Sequence, residues 1–161
     1  MAQAQAGLAV VQQWVQGQGL RLHSDQTQVG DCREAGQGFD FLGHRFEAGQ
    51  RRVRRKSIAA LRERIGATTG RSRGDRRQRI IADLNPLLKG WFGYFKHAHS
   101  MTFNKLDGFL RRRLRALLRK QQHRPGRGCT WADHSRWSNA FFAAQGLFTI
   151  TEAHALASPS R

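Results

Sequence analysis

The sequence predicts a mainly α fold with a small β element, and three observations carry that prediction. From residue 58 onward, apolar residues recur at spacings of three and four through successive segments, as in helices that bury one face. Ahead of them, a short stretch alternates large apolar with polar residues between turn-forming glycines, as the strands of a hairpin do. The third observation joins charge to aromaticity. Residues 1–50 hold three basic and five acidic side chains, residues 51–161 hold twenty-five basic and six acidic, and the whole chain carries a net +17. Eleven of the fifteen aromatic residues lie in the same basic region, so it has the material for a core that a disordered basic tail would lack.

Taken in order, Leu8, Val11, Trp14 and Val15 predict a short amphipathic helix over residues 7–17, stopped by Gly17 and Gly19. Leu20-Arg21-Leu22 alternates like a strand, Ser24-Asp25-Gln26-Thr27 reads as a turn, and Phe39 to Phe46 alternates again, which predicts a β-hairpin or small sheet. Glu47-Ala48-Gly49-Gln50 makes a turn tip before the basic run Arg51 to Lys56. Ser57 is a candidate cap for a helix from Ile58 to about Ala67, with Ile58, Leu61 and Ile65 on one face. Residues 68–74 break it, and Asp75 is the next candidate cap. Ile80, Ile81, Leu84, Leu87, Leu88, Trp91 and Phe95 then trace a broad apolar stripe, interrupted by Pro86. Either Asn85 caps a new helix with proline at its first position, or one helix kinks there; the new cap is preferred. The third helix of the expected bundle runs from Phe103 to about Gln122, with Phe103, Leu106, Leu110, Leu114 and Leu117 inward and Arg111, Arg112, Arg115 and Arg119 outward. After the loop 123–128, Trp131, Trp137, Phe141, Phe142, Leu147 and Phe148 form an aromatic-rich C-terminal tail, helical in part. The expected organisation is therefore residues 1–50, a three-helix bundle over 51–122, and a basic loop with its aromatic tail over 123–161.

Several function classes are disfavoured. Cys32 and Cys129 stand far apart without CxxC or Cys/His ligand spacing, and His97 and His99 would point to different helix faces, so no metal site is expected. No apolar run approaches the roughly 20 residues that cross a bilayer, and no positive segment precedes the short apolar stretch at the N-terminus, so a cytoplasmic protein without membrane partners is expected. An arginine-rich field of this size calls for a polyanion, because the planar guanidinium fork suits phosphate. The candidate phosphate contacts are Arg51, Arg52, Arg54, Arg55 and Lys56; Arg71, Arg73, Arg76 and Arg77; Lys96; Arg111, Arg112, Arg115, Arg119 and Lys120; and Arg124 and Arg127. A charge run is often only a solvated linker, but Arg51 to Lys56 joins two packed elements, and on the Arg111 to Arg119 face Arg112, Arg115 and Arg119 have no acid at four-residue spacing to neutralise them. Trp91 and Phe95 continue the apolar stripe and are expected in the core, with Tyr94 on the exposed side; Trp131 and Trp137 are expected to pack. Gly70, Gly74, Gly126 and Gly128 suit flexible or phosphate-approaching loops beside arginines.

Gly19-Leu20-Arg21-Leu22-His23 followed by Phe39-Asp40-Phe41-Leu42-Gly43 resembles the closing part of a group II intron reverse transcriptase. Residues from Ser57 onward resemble its maturase domain more strongly: Ile81-Ala82-Asp83-Leu84-Asn85-Pro86, then Gly90-Trp91-Phe92-Gly93-Tyr94-Phe95, then Leu106-Asp107 before Leu110 to Leu114. Trp137-Ser138-Asn139-Ala140-Phe141-Phe142 and Gly146-Leu147-Phe148 are similar to the end of bacterial members. The resemblance implies a palm remnant over 1–50, with Phe41, Leu42 and Gly43 as a primer-grip-like segment, and a thumb-like maturase bundle from 51. It also implies that the polymerase centre, with its divalent metal ions, belongs to a part not present here, leaving this chain with no catalytic residues and no cofactor of its own. Two departures from the family pattern, Gln26-Thr27 and His44, weaken any role in primer handling. The implied partner is group II intron RNA, together with a DNA target or RNA/DNA duplex, and the implied function is to help the intron fold and splice in a bacterial cytoplasm. Two other readings stay open: completion of a split RNA-directed DNA polymerase by a separate fingers and palm chain, or a decayed remnant.

Overall fold

Among the described residues, seven helices and three short strands follow one another as α1 (Ala2–Gly17), β1 (Phe39–Phe41), β2 (His44–Glu47), β3 (Gln50–Val53), α2 (Arg55–Thr68), α3 (Arg77–Phe95), α4 (Met101–Gln121), α5 (Trp131–Arg136), α6 (Asn139–Ala144) and α7 (Ile150–Ala157). The structure is a computed structural model that describes residues 2–23, 25, 27, 29–70 and 76–158. The mainly α class with a small β element is what the sequence predicted. Two compact units divide the chain, Met1–Arg51 and Arg52–Arg161. Among the described residues no helix is long and apolar enough to cross a membrane.

In the first unit, α1 ends in a Schellman motif. Gly19 takes φ 72° and donates to the Gln16 carbonyl, while Leu20 donates to that of Val15. No residue of α1 is buried. The expected strand at Leu20–Leu22 does not form: both leucines are exposed, and three alternating residues without a ladder partner gain nothing from extending. Of the turn expected at 24–27, Ser24 and Gln26 lie outside the described residues. The hairpin does form. Phe39 pairs with Phe46, Asp40 with Arg45 and Phe41 with His44, in a sheet ordered β1-β2-β3. Leu42 and Gly43 at φ 45° and 78°, then Ala48 and Gly49 at 51° and 68°, make two-residue turns whose left-handed pairs match the strand twist. The run from Arg51 is thus not a linker; it enters β3 and then the first turn of α2.

In the second unit, α2 begins at Arg55 behind Arg54, and Ser57 sits inside its first turn rather than capping it. Asp75 lies outside the described residues, and α3 starts behind Arg76. The new helix expected at Asn85 does not occur, since α3 runs unbroken through Pro86. Proline removes a bond to the Ala82 carbonyl, but both residues lie on the exposed side, where water can replace it. The Asn85 side chain is engaged elsewhere: its amide donates to the Gly146 carbonyl at 2.8 Å and its oxygen accepts from Phe148 N at 2.9 Å.

One core joins α2 (Leu61, Ile65), α3 (Ile80, Leu84, Leu88, Phe95) and α4 (Phe103, Leu106, Leu110, Leu114, Leu117) to Trp137, Phe142, Leu147 and Ile150 of the C-terminal segment. The aromatic tail therefore completes the bundle rather than following it. Each large apolar side chain so buried contributes roughly 1.5–3 kcal/mol. Trp131 departs from expectation: as the first residue of α5 it stands 84% exposed.

Asp107 fixes this closure. Buried in α4, it accepts from Ile150 N at 3.2 Å, Thr151 N at 2.9 Å and Thr151 Oγ1 at 2.6 Å, capping α7 from another helix. Asp107→Ala orphans two amides at the start of α7. We expect a loss of about 3 kcal/mol from unsatisfied donors and a lost cap, read as a lower midpoint in thermal unfolding, with Asp107→Asn intermediate because its amide oxygen still accepts one bond.

Candidate nucleic-acid interface

Helix α4 positions the candidate interface because its turns sort basic side chains onto different faces. Lys105, Phe109, Arg112 and Ala116 follow at steps of four, three and four, so they form one line along the helix. Arg62 of α2 reaches this line, its guanidinium carbon 5.3 Å from the centre of the Phe109 ring, while that of Arg112 stands 5.7 Å from the same centre. The electron-rich face of the ring offsets part of the repulsion between two like charges held so close. Arg62, Lys105, Gly108, Phe109 and Arg112 surround an open pocket of about 380 Å3.

Arg112 also borders a second pocket, of about 240 Å3, with Thr69, Arg113, Ala116, Arg127 and Cys129. Arg113 is held by the end of α2: Nε donates to Thr69 Oγ1 at 3.0 Å and Nη2 to the Gly66 carbonyl at 3.0 Å. A cation at a helix C-terminus meets the negative end of its dipole, so this placement is favourable in itself. Among the described residues no carboxylate lines either pocket.

Two of the expected contacts are turned away from this surface. Arg115 is 4% exposed; its Nε donates to the Trp137 carbonyl at 2.9 Å, and its guanidinium lies over the Phe142 ring. Burial, reinforced by Arg111, pushes the Arg115 guanidinium below its ordinary range. Arg119 pairs with Asp133 at 2.6 Å and donates through Nε and Nη2 to the Pro125 carbonyl. Asp133 is itself buried, accepts from Thr130 N at 3.1 Å and Thr130 Oγ1 at 2.7 Å, and closes a capping box on α5. The outward face drawn from α4 alone is thus wrong at these positions, because the C-terminal segment covers that side of the helix.

The other expected contacts are dispersed. Arg51 and Arg52 stand on β3, Arg54 is the residue before α2, and Arg55 and Lys56 are exposed in its first turn. Arg76 is exposed, while Arg77 lies with its guanidinium carbon 5.2 Å from the centre of the Phe141 ring. Lys96, Lys120, Arg124 and Arg127 are exposed, and Arg111 is half-buried. Arg71 and Arg73 lie outside the described residues. Phe41, Leu42 and Gly43 form the tip of the β1–β2 hairpin, with Phe41 59% and Leu42 65% exposed. Burial and the nearby Arg51 push the His44 imidazole below its usual range.

Sequence reasoning missed Arg62, Lys105 and Arg113. The signal for Lys105 was present, since an aromatic residue flanked by cations four back and three ahead marks a surface line. Arg62 and Arg113 needed the α2–α4 packing to be seen. Gly128 was also misread: it is buried, and its backbone lies against that of α4.

These features define a class, a helical bundle with basic pockets beside α4 whose described lining holds no carboxylate. Residues 58–137, from the first turn of α2 to the residue after α5, match the family model described as group II intron, maturase-specific domain, which supports a group II intron maturase fragment. No curated protein matches the chain.

Proposed function

We propose that this chain is an RNA-binding maturase that helps group II intron RNA fold and splice, the cleavage and ligation steps remaining the chemistry of the RNA. The observation that carries this reading is the Arg62–Phe109–Arg112 stack, flanked by Lys105, Arg113 and Arg127 with no acid among them, inside the maturase-specific segment. Guanidinium groups fixed on a helical scaffold meet backbone phosphates and release condensed counterions, and Phe109 offers an edge to an unstacked base. Arg55, Lys56, Arg76, Lys96, Lys120 and Arg124 add exposed positive charge elsewhere in the second unit.

The test is filter binding of a structured intron RNA over a salt series. Replacing Arg62, Lys105, Arg112 and Arg127 together by glutamine is expected to reduce the slope of log affinity against log salt by about three, at roughly 0.7 per phosphate contact, and to weaken binding about a hundredfold near physiological salt. A slope near zero in the parent protein, or an unaltered slope in the variant, overturns the reading. An unrelated structured RNA and duplex DNA complete the comparison; equal affinity for all three reduces the function to general polyanion binding.

One observation favours a second reading. Phe41 and Leu42, two large apolar side chains in solvent at a hairpin tip that resembles a primer grip, suit completion of a split RNA-directed DNA polymerase by a separate fingers and palm chain. Primer extension by the two chains mixed, and by neither alone, would support it.

A further inference from the structure

We propose that the pocket bounded by Thr69, Arg112, Arg113, Ala116, Arg127 and Cys129 is a seat for a single phosphate group. The proposal rests on the RNA-binding reading and names the subsite that a phosphoryl oxyanion would take.

Among the described residues, three arginines line a cavity of about 240 Å3 whose other lining residues are two small polar residues and an alanine, with no acid among them. Charge balance asks for an anion there, and the tetrahedral oxygens of phosphate match several guanidinium forks at once. The wall is also built in advance. Arg113 uses Nε and Nη2 on the end of α2, which leaves Nη1 uncommitted among the described residues. Arg127 and Cys129 come from the loop after α4, and that loop is held from both sides: Arg119 grips the Pro125 carbonyl, and buried Gly128 lies on the backbone of Arg115 and Ala116. The Cys129 thiol donates to the Arg127 carbonyl at 3.5 Å. Arg113 and the loop backbone, held in this way, lose little freedom when the anion arrives. The described lining holds no aromatic ring for a base to stack on and is rich in hydrogen-bond donors, which favours phosphate over nucleobase. The same chemistry has two sources, an internal phosphodiester of a bound strand or a terminal phosphate monoester.

Cys129 gives a local readout. Its alkylation by iodoacetamide, followed by mass spectrometry with Cys32 as internal reference, is measured in chloride and in inorganic phosphate at matched ionic strength. It is measured again with one short single-stranded RNA bearing either a 5′-phosphate or a 5′-hydroxyl. Phosphate is expected to slow Cys129 severalfold and leave Cys32 unchanged. The double variant Arg112→Ala, Arg127→Ala should lose that protection with its melting curve preserved, and the double lysine variant should recover part of it. Protection by the 5′-phosphorylated RNA alone assigns a terminal phosphate; protection by both RNAs assigns an internal one. If phosphate and both RNAs leave Cys129 unprotected while filter binding shows the RNA bound, the seat is refuted and the RNA-binding reading stands. If phosphate protects but no RNA binds, the seat stands and that reading falls. Protection that survives in the double alanine variant also refutes the seat.

Discussion

Gly128→Ala should be among the most damaging single substitutions in the second unit. The residue sits at φ +74°, and an added Cβ would lie 2.6 Å from the Ala116 nitrogen, 2.7 Å from Arg115 Cβ and 2.8 Å from the Arg115 carbonyl carbon. Two of those neighbours are helix backbone, which cannot yield as the end of a flexible side chain can. A left-handed non-glycine residue costs about 1–3 kcal/mol, and overpacking against an immovable wall adds about 1–3 kcal/mol. The expected loss is therefore about 4 kcal/mol, or roughly a 10 °C drop in melting temperature for a chain of this size. Gly93→Ala is the matched control: Gly93 lies within α3, nothing stands within 4 Å of its added Cβ, and the change should be neutral or stabilising by about 0.5–1 kcal/mol. A Gly128→Ala protein that melts within 2 °C of the parent would show that the loop does not lie on α4 as described. Because Arg127 and Cys129 flank this glycine, the variant should also lose the arrangement of the small arginine pocket even below its melting point.

Asp133→Ala should be comparably severe, through electrostatics rather than sterics. The carboxylate meets Arg119 at 2.6 Å with side-chain exposures of 3% and 15%, and it closes the capping box of α5 with Thr130. Removing one partner of a buried pair leaves the other charge without compensation, about 3–5 kcal/mol, and the lost cap adds about 1 kcal/mol. The double variant Arg119→Met, Asp133→Leu should recover much of the loss, since no isolated charge remains. Acid unfolding supplies a second signature. Burial alone would raise the Asp133 carboxyl, but hydrogen bonds from Thr130 and Arg119 outweigh it and hold the group below its ordinary value of 3.8. A carboxyl depressed on folding stabilises fully above its unfolded value and loses that contribution only as pH falls beneath it through the folded value. The parent should therefore weaken below about pH 4, and Asp133→Ala, measured by chemical denaturation at pH 7 and pH 3, should show a smaller difference between the two.

Much of the architecture could be read before any coordinates. The α4 stripe is the clearest case, because Phe103, Leu106, Leu110, Leu114 and Leu117 repeat at helical spacing and all five are buried. Helical phase also sorted Tyr94, 57% exposed, from Phe95, 7% exposed. The readings that failed did so where one residue has two local uses. Asn85 before Pro86 is a good helix start by itself; it is not one here because its side chain serves Gly146 and Phe148, more than sixty residues later. Ser57 is a good cap, yet the helix begins two residues earlier.

What the sequence determined alone was periodicity and charge: helices where apolar residues repeat, a hairpin where Leu42-Gly43 and Ala48-Gly49 permit left-handed turns, and a basic chain from residue 51. What only tertiary structure decided was which arginines face outward. Arg112 and Arg115 share a helix, a residue type and a run of neighbours, and nothing within one helix separates them. The difference comes from the segment carrying Trp137 and Phe142, which returns over one side of α4, shields Arg115 from solvent behind the Trp137 carbonyl and leaves Arg112 between two open pockets. A helical repeat specifies one buried face, but a second covered face is set by a distant part of the chain, and no local pattern encodes it.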